Sequence, residues 1–594
     1  MFLPTTLKEV KQRGWDWIDV IIISGDAYID HPGFGHAVIA RTLENAGYRV
    51  AIIAQPNWKD DLRDFKKLGS PRLFFGITSG CMDSMVNHYT ANKRLRSDDA
   101  YTPGGESGFR PDYATTVYSN ILRELYPDSK IIIGGIEASM RRNAHYDYWS
   151  DILKPSILID SKADILVYGM GEKVILDIAK KLDKGDDIES FLDIPQTAFL
   201  INQEQLEKRK EKDEEIITLP SYEDCLEDKF NQAVSIKIIE NNSNKIIGQR
   251  LIQKHGDKFV LINPFDPNFS STDLDNSFSL PYERKPHYKY DKRGNIPAFE
   301  MIKHSINIHR GCFGGCAFCT IVAHQGKQIV SRSEENILKE IEEVSQMEDF
   351  KGYLSDLGGP SANMYKMRGR DMKLCQTCSR ASCIYPKICN NLNFSHKPLL
   401  DLYQSVNKLP YIKKAFIGSG IRYDMFIPFI NDNNDKNYSK EYFKQVFLNH
   451  ISGRLKVAPE HTEDNVLMQM RKPSFSQFIE LKNLFDNYNR KYNLKQQLIP
   501  YFISSHPSCS LKDMESLAQK TKSLGYKLEQ VQDFTPTPMT IATETYYTGY
   551  DIISLNPKQG KSKAKKIYSA KTKQDKLKQN SAFFWWKNNN HRKN

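Results

Sequence analysis

Arg310-Gly311-Cys312-Phe313-Gly314-Gly315-Cys316-Ala317-Phe318-Cys319 decides how the rest of this chain is read. Three thiols, separated by three and then two residues, suit a cubane iron–sulfur cluster whose usual four thiolates are here one short. An iron without a protein ligand is an open coordination site, and an open site takes a small molecule. The competing reading is a zinc knot, which needs a fourth Cys or His nearby; His309 and His324 are the candidates.

Outward from this stretch, seven of the ten cysteines crowd between Cys312 and Cys389. Clustered cysteines in a large chain point to metal binding rather than to a disulfide framework. The second group, Cys375-x₂-Cys378-x₄-Cys383-x₅-Cys389, is a candidate zinc site or auxiliary iron–sulfur site; free thiols in a loop are the alternative. At about 150 residues per domain, the 594 residues suggest three or four domains. Apolar runs such as Val20–Ile23 fall far short of the ~18 residues of a membrane span. Met1–Trp15 lacks the apolar region of a secretory signal. The expectation is a cytoplasmic protein with no membrane partner.

The N-terminal 200 residues alternate apolar strand runs with helical spacing. Asp19–Ile23, Tyr48–Ala54, Leu73–Ile77, Lys130–Gly135 and Ala163–Gly169 read as strands, and His36–Asn45 as a helix. Such alternation argues for a doubly wound parallel sheet, with ligands beyond the strands' carboxyl ends. Asp26, Asp30, His31, Gly33, His36, Gly134, Gly135, Glu137, Gly169, Gly171 and Glu172 would line that edge. Asp83–Arg110 and Arg141–Asp151 read as polar loops. Residues 201–300 read as an insertion and connector, with strands at Ala233–Ile239 and Lys258–Ile262 and a charged helix at Glu204–Glu215.

Between residues 301 and 550 six strand candidates follow one another with helical segments between them. They are Ser305–His309, Gly352–Ser355, Ala415–Gly418, Leu455–Ala458, Leu498–Ile503 and Leu528–Phe534, and a cysteine-rich insertion spans 360–397. Glu334–Val344 reads as a helix opened by a Ser331-x-x-Glu334 capping box. Six β-α repeats make a partial (β/α)₆ barrel, whose reactive face lies at the strands' carboxyl ends. Those ends carry the cysteine loop, Ser355–Pro360, Ser419–Asp424, Pro459–Glu463, Ser504–Pro507, and Gln532 with Asp533.

Cys-x₃-Cys-x-aromatic-Cys, with Phe318 as the aromatic, resembles the signature of the radical S-adenosylmethionine (SAM) enzymes. Several further stretches resemble the YgiQ-type (UPF0313) radical SAM proteins over nearly the whole chain. They are Gly25–Tyr28, Gly135–Ser139, His145–Ser150, Ala458–Thr462 and Ile499–Ile503. The resemblance implies that Cys312, Cys316 and Cys319 hold a [4Fe-4S] cluster with SAM on the fourth iron. It implies reductive cleavage of SAM to a 5′-deoxyadenosyl radical, fed by a low-potential donor of flavodoxin or ferredoxin type, and leaves the substrate open. Asp356-Leu357-Gly358-Gly359 is placed like the family's motif for the SAM amino group, although Pro360 replaces its usual acidic residue. Ser419 and Arg422 stand at the end of strand three, and Glu460 is placed to hold the ribose hydroxyls. Arg332-Ser333 and Asp464–Lys472, with Leu467, Met470 and Arg471, resemble stretches of methylthiotransferase-type radical SAM enzymes. The N-terminal sheet resembles a cobalamin-binding domain, although its Asp-x-His-x-x-Gly pattern is absent.

The net charge of +11 is carried by the tail: Leu555–Asn594 holds eleven Lys and one Arg against one Asp, leaving 71 basic and 71 acidic residues elsewhere. Lys561–Lys578 has amphipathic spacing, which suits a nucleic acid or a solvated terminus. Phe583-Phe584-Trp585-Trp586 suits docking on the body of the protein or base stacking. Two other functions remain open at this point: a non-catalytic iron–sulfur or RNA-binding regulator, and a zinc-stabilised binding protein.

Overall fold

Val20–Ser24 is apolar almost throughout and buried along its length, as a strand covered on both faces must be. It lies inside the N-terminal sheet. The computed structural model describes residues 1–212 and 215–587. Contacts divide the chain into two compact units. The first comprises Met1–Lys303 with Ala323–Gly326 and Thr537–Met539; the second holds His304–Val322, Lys327–Pro536 and the chain from Thr540.

In the first unit β1 (Val20–Ser24) pairs in parallel with β2 (Val50–Ala54) and β3 (Phe74–Thr78); β4 (Lys130–Ile133) and β5 (Ile165–Val167) extend the parallel run. The resulting order, 2-1-3-4-5, is that of doubly wound flavodoxin-like sheets. Helices α1 (Gly35–Asn45) and α3 (Glu172–Asp183) pack on each other, and α2 (Ala114–Leu125) packs on β3 and β4. The sheet continues past β5. β6 (Thr197–Ile201) is antiparallel to it, followed in space by β9 (Lys258–Ile262), β8 (Leu251–His255) and β7 (Ile217–Thr218), giving nine strands among the described residues. The strands of residues 201–300 thus extend this sheet rather than forming a separate one. Ala233–Ile239, expected as a strand, lies inside the helix α4 (Lys229–Ser243), which Asp228 caps by accepting the Phe230 N–H at 2.9 Å. β-branched spacing was outweighed there by a good N-cap and by a helical face that buries Ala233, Ile236 and Ile239. Of the charged helix expected at Glu204–Glu215, Gln203–Lys212 is helical; Asp213 and Glu214 lie outside the described residues.

The second unit is built from short parallel strands. β10 (Ser305–Asn307) pairs with β12 (Asp356–Gly358), and β11 (Tyr353–Leu354) precedes β12 across Ser355. β13 (Arg368–Gly369) and β14 (Leu392–Asn393) are antiparallel and close the cysteine-rich excursion. β11 pairs with β15 (Lys414–Ala415), while β16 (Arg454–Glu460), β17 (Gln497–Ser504) and β18 (Gln530–Asp533) form a second parallel run. The glycine motif expected after strand two is therefore part of that strand, with Leu357 N–H on the Phe416 carbonyl at 2.9 Å.

Helices α5 (Glu334–Ser345), α6 (Met372–Gln376), α7 (Lys397–Asn407), α8 (Ser439–Asn449), α9 (Asp464–Met470), α10 (Phe475–Tyr492), α11 (Leu511–Ser523), α12 (Ile541–Thr548) and α13 (Lys573–Ser581) fill the connections and the C-terminal segment. α5 buries Ile337, Ile341 and Val344, each worth roughly 1.5–3 kcal/mol. Its cap is Ser333, which accepts the Asn336 N–H at 3.1 Å. The expected cap, Ser331, instead accepts the Lys366 N–H at 2.8 Å.

The tail departs from a solvated terminus. α13 buries Lys576 and Gln579, and Phe583 is fully buried. Gln579 accepts the Ser505 N–H at 2.9 Å and donates to the Cys509 carbonyl at 2.8 Å; Asn580 donates to Asp533 at 2.8 Å. The tail is thus tied to the ends of β17 and β18. Helix forms over Lys573–Ser581 rather than across Lys561–Lys578. Asn588–Asn594 lie outside the described residues. No helix among the described residues is long and apolar enough to cross a membrane.

Candidate functional site

The cysteine loop follows β10 and is closed at its base by His309–Arg310, which pairs antiparallel with Val330–Ser331; backbone contacts hold it in between. Ala317 N–H donates to the Met470 carbonyl at 3.1 Å, and Ala542 N–H donates to the Ala317 carbonyl at 2.9 Å. Arg471 caps α9 in the left-handed conformation, φ +56°, and its Nη1 reaches the Gly315 carbonyl at 3.3 Å. Phe318 meets His506 edge-on, with ring centroids 6.0 Å apart, and His506 meets Phe534. The loop is thereby fixed by residues from the ends of β16, β17 and β18.

Donors converge on two of the sulfurs. Gly314 N–H lies 3.4 Å from Cys312 Sγ, and Arg422 Nη1 lies 3.4 Å from Cys316 Sγ. Burial pushes the Cys312 thiol up to about 11 and Cys319 to about 12, and neighbouring Cys316 adds to both. Metal ligation requires thiolates, so sulfurs that already receive N–H donors and face cations suit an anionic cluster. Arg422 is buried and grips Asp424 through two bonds, 2.9 and 2.6 Å. Although burial pulls the Asp424 carboxyl up, the Arg422 charge holds it below its ordinary range. Among the described residues, no three His, Cys, Asp or Glu side chains gather as the ligands of one metal ion do. Ligands of a cubane each take a separate iron and stand further apart. His309 and His324, the zinc candidates, bond elsewhere: His309 Nε2 to the Ser361 carbonyl at 2.9 Å, and His324 Nδ1 to Ser139 Oγ at 2.9 Å.

Glu460 lies at the end of β16, beyond a register break after Val457, with φ +69°. A left-handed glutamate costs about 1–3 kcal/mol, and the bulge bends the strand end that carries it. Burial raises its pKa, opposed by Lys472, whose Nζ stands 3.7 Å away, and by Arg422. Lys472 and Asp424 were not singled out as site residues. The signal was present in their being next but one or adjacent to Met470, Arg471, Arg422 and Tyr423, but strand-end bookkeeping cannot say which neighbour turns inward.

Asp356 Oδ1 accepts from Gly418 N–H at 2.8 Å, Ser419 N–H at 3.2 Å and Ser419 Oγ at 3.0 Å. That oxygen is committed to fixing the loop after β15, which makes Asp356 and Ser419 positioning residues. A Cβ on Gly358 would strike Ser419 Oγ, and one on Gly359 would meet His309 Nε2 at 2.7 Å. Both glycines are required by close approach. Arg332 serves the fold: it is fully buried and pairs with Glu340 and Asn336.

In the first unit, most of the acids expected at the sheet edge pair internally. Asp26 meets Arg110 at 2.9 Å, Asp30 pairs with buried Arg41, and Glu137 accepts the Ser84 and Thr115 N–H groups at 2.8 and 2.9 Å. His31 Nδ1 accepts the Gly33 N–H at 3.0 Å, and His36 Nδ1 lies 3.3 Å from Ser24 Oγ. Arg141–Tyr148, expected in a loop, is buried.

A half-buried three-cysteine loop at parallel strand ends, with Arg422 on Cys316 and a left-handed glutamate nearby, fits the radical SAM proteins. A family profile described as radical SAM N-terminal matches residues 2–305. The chain belongs to the UPF0313 family. A UPF0313 protein of Bacteroides thetaiotaomicron is 56% identical over 597 residues, covering 99% of this chain and 94% of that one. Another, from Porphyromonas gingivalis, is 55% identical over 586 residues, covering 99% and 90%. Among solved structures, the radical S-adenosylmethionine methyltransferase TsrM from Kitasatospora setae, with cobalamin and a [4Fe-4S] cluster bound, superposes with a TM-score of 0.47 at 13% identity, over 89% of this chain and 74% of that one. At that score nothing is transferred from it.

Proposed function

We propose that this chain is a radical SAM enzyme, with Cys312, Cys316 and Cys319 holding a [4Fe-4S] cluster at the mouth of a partial (β/α)₆ barrel. The observation that carries the reading is that Arg422, gripped by Asp424, places its Nη1 3.4 Å from Cys316 Sγ in a loop where the Gly314 N–H also faces Cys312 Sγ. When bound, the cluster supplies the electron that splits SAM into methionine and a 5′-deoxyadenosyl radical. The chain's own residues do the holding. Arg422 donates to Cys316 and offsets its charge, and Asp424 keeps Arg422 aimed. The Gly359 carbonyl would accept the SAM amino group, since that of Gly358 already accepts the Ile308 N–H; Glu460 accepts the ribose hydroxyls, and Phe318 with His506 walls the loop.

A low-potential donor of flavodoxin or ferredoxin type would supply the electron. Cobalamin at the carboxyl edge of the first unit's sheet is a further cofactor in this reading, supported by the 2-1-3-4-5 strand order; titration with hydroxocobalamin, followed by its absorbance, tests it. A second reading, a non-catalytic regulator that grips RNA through its tail, is favoured by the exposed lysines from Lys561 to Lys573. Anaerobic reconstitution with iron and sulfide, then reductant and SAM, separates the readings. We expect 5′-deoxyadenosine from the wild type. A fully loaded chain that makes none, or a colourless chain carrying zinc, overturns the proposal.

A further inference from the structure

The function above leaves the second cysteine set unused. β13 and β14 pair antiparallel, and Arg370 N–H bonds the Asn391 carbonyl at 2.7 Å, so the chain leaves and returns at one point. The excursion has little apolar interior of its own. α6 buries no residue, and Met372 and Leu374 are 38% and 64% exposed. Ordering such a segment costs more conformational entropy than its apolar burial returns, the usual circumstance in which a staple is needed.

Four thiols are placed to supply one. Cys375, Cys378, Cys383 and Cys389 are half-buried and form no disulfide. The backbone folds them together in pairs: Cys378 N–H on the Cys375 carbonyl at 3.3 Å, and Cys389 N–H on the Cys383 carbonyl at 2.8 Å. Asn391 Nδ2 donates to Cys375 Sγ at 3.4 Å, and that sulfur lies over Gly369, 2.5 Å from where a Cβ would stand.

The segment is also seated on the first cysteine loop. Cys383 N–H donates to the Phe313 carbonyl, the residue after Cys312, at 3.0 Å. The Ala381 carbonyl lies against Gly315, so closely that a Cβ there would strike it. Lys327 Nζ donates to the Arg380 carbonyl at 2.6 Å. Cys312, Cys383 and Cys389 pack on one apolar cluster that includes Phe313, Ile384 and Met425.

We propose that Cys375, Cys378, Cys383 and Cys389 hold a second iron–sulfur cluster, closed by four thiolates, which staples this excursion onto the loop of Cys312. Zinc on the same four thiolates is the competing occupant, and the metal content read below separates the two. With four thiolates the cluster has no open corner, so it takes no substrate at iron. When bound, such a cluster would supply one-electron chemistry, taking an electron from the low-potential donor and passing it on with no bond made or broken.

The test uses the full chain, loaded anaerobically with iron and sulfide. The Cys312→Ala/Cys316→Ala/Cys319→Ala variant removes the first centre only. We expect it to keep about four iron and four sulfide per chain, half the wild-type content. After dithionite it should give a reduced-cluster electron paramagnetic resonance signal that SAM does not shift. Should that variant fold poorly, the wild type itself decides: two cluster signals are expected, only one of them moved by SAM. Zinc in place of iron, a metal-free variant, or a wild type with about four iron and one SAM-sensitive signal would each overturn the second cluster, whatever the outcome for SAM cleavage.

Discussion

The two cysteine loops of the second unit touch, yet their sulfurs sit in opposite surroundings. Around Cys312, Cys316 and Cys319 stand charged side chains brought from the strand ends: Arg422 paired with Asp424, and Glu460 beside Lys472. Around Cys375, Cys378, Cys383 and Cys389 the partners are mainly backbone, an amide and Lys327. A site with a missing ligand needs neighbours that bind and orient the incoming molecule. A closed site needs only to be held, and a backbone excursion is enough for that.

The largest effect expected from breaking this contrast is at the open site. Cys316→Ala should lower 5′-deoxyadenosine formation at least about 10³-fold, because the cofactor carries the chemistry. Quantifying 5′-deoxyadenosine by chromatography checks this, and residual activity near the wild type would reassign the ligands. Next comes Arg422→Ala, which strands Asp424 in a buried pocket and should cost about 3–5 kcal/mol, read from denaturant midpoints. An equivalent change at Lys373, exposed beside the second set, should cost nothing measurable.

Glu460→Gln should raise the KM for SAM about tenfold to a hundredfold, the size of a charge-assisted hydrogen bond, with iron content unchanged. Gly315→Ala addresses the joint between the loops. Its φ of +63° and the Ala381 carbonyl in the way should cost about 1–3 kcal/mol. Limited proteolysis should then cut within 375–389 sooner than in the wild type.

The last effect shows only in acid and is absent at neutral pH; it concerns His396, just past the second loop. Its Nε2 lies 3.3 Å from Asn363 Nδ2, and Asn363 Oδ1 in turn accepts the Arg422 N–H at 2.8 Å. Burial pushes His396 down to about 4 from 6.5, so it is neutral when folded. Unfolding takes up its proton. Its contribution is whole above pH 6.5 and is lost as the pH falls towards about 4. His396→Gln should therefore flatten the acid limb of the stability curve by up to about 1.4 kcal/mol per pH unit. Denaturant midpoints at pH 7, 6 and 5 test the sign.

Periodicity revealed the first unit's parallel strands because each is a continuous apolar run. It failed at Ala233–Ile239, where a β-branched run is in fact the inner face of α4 capped by Asp228. In the tail it was right in part: the lysines from Lys561 to Lys573 are exposed and Phe583 is buried on the body, but nothing local showed that Gln579 and Asn580 find partners at two strand ends. Asp356 illustrates the same limit within the site. Its position after strand two was legible, but the three donors from the loop after strand three were not, since they arrive from more than sixty residues away.

The residue order by itself determined the thiol count, the three-and-two spacing of Cys312, Cys316 and Cys319, and the alternation of strand and helix. These are local, and a few neighbouring residues suffice to encode them. Tertiary structure alone decided that Lys472 faces Glu460, that Asp424 steadies Arg422, and that the second cysteine loop rests on the first. Those contacts join residues distant in sequence or depend on which way a side chain turns, and only the packing of the strand ends brings them within reach.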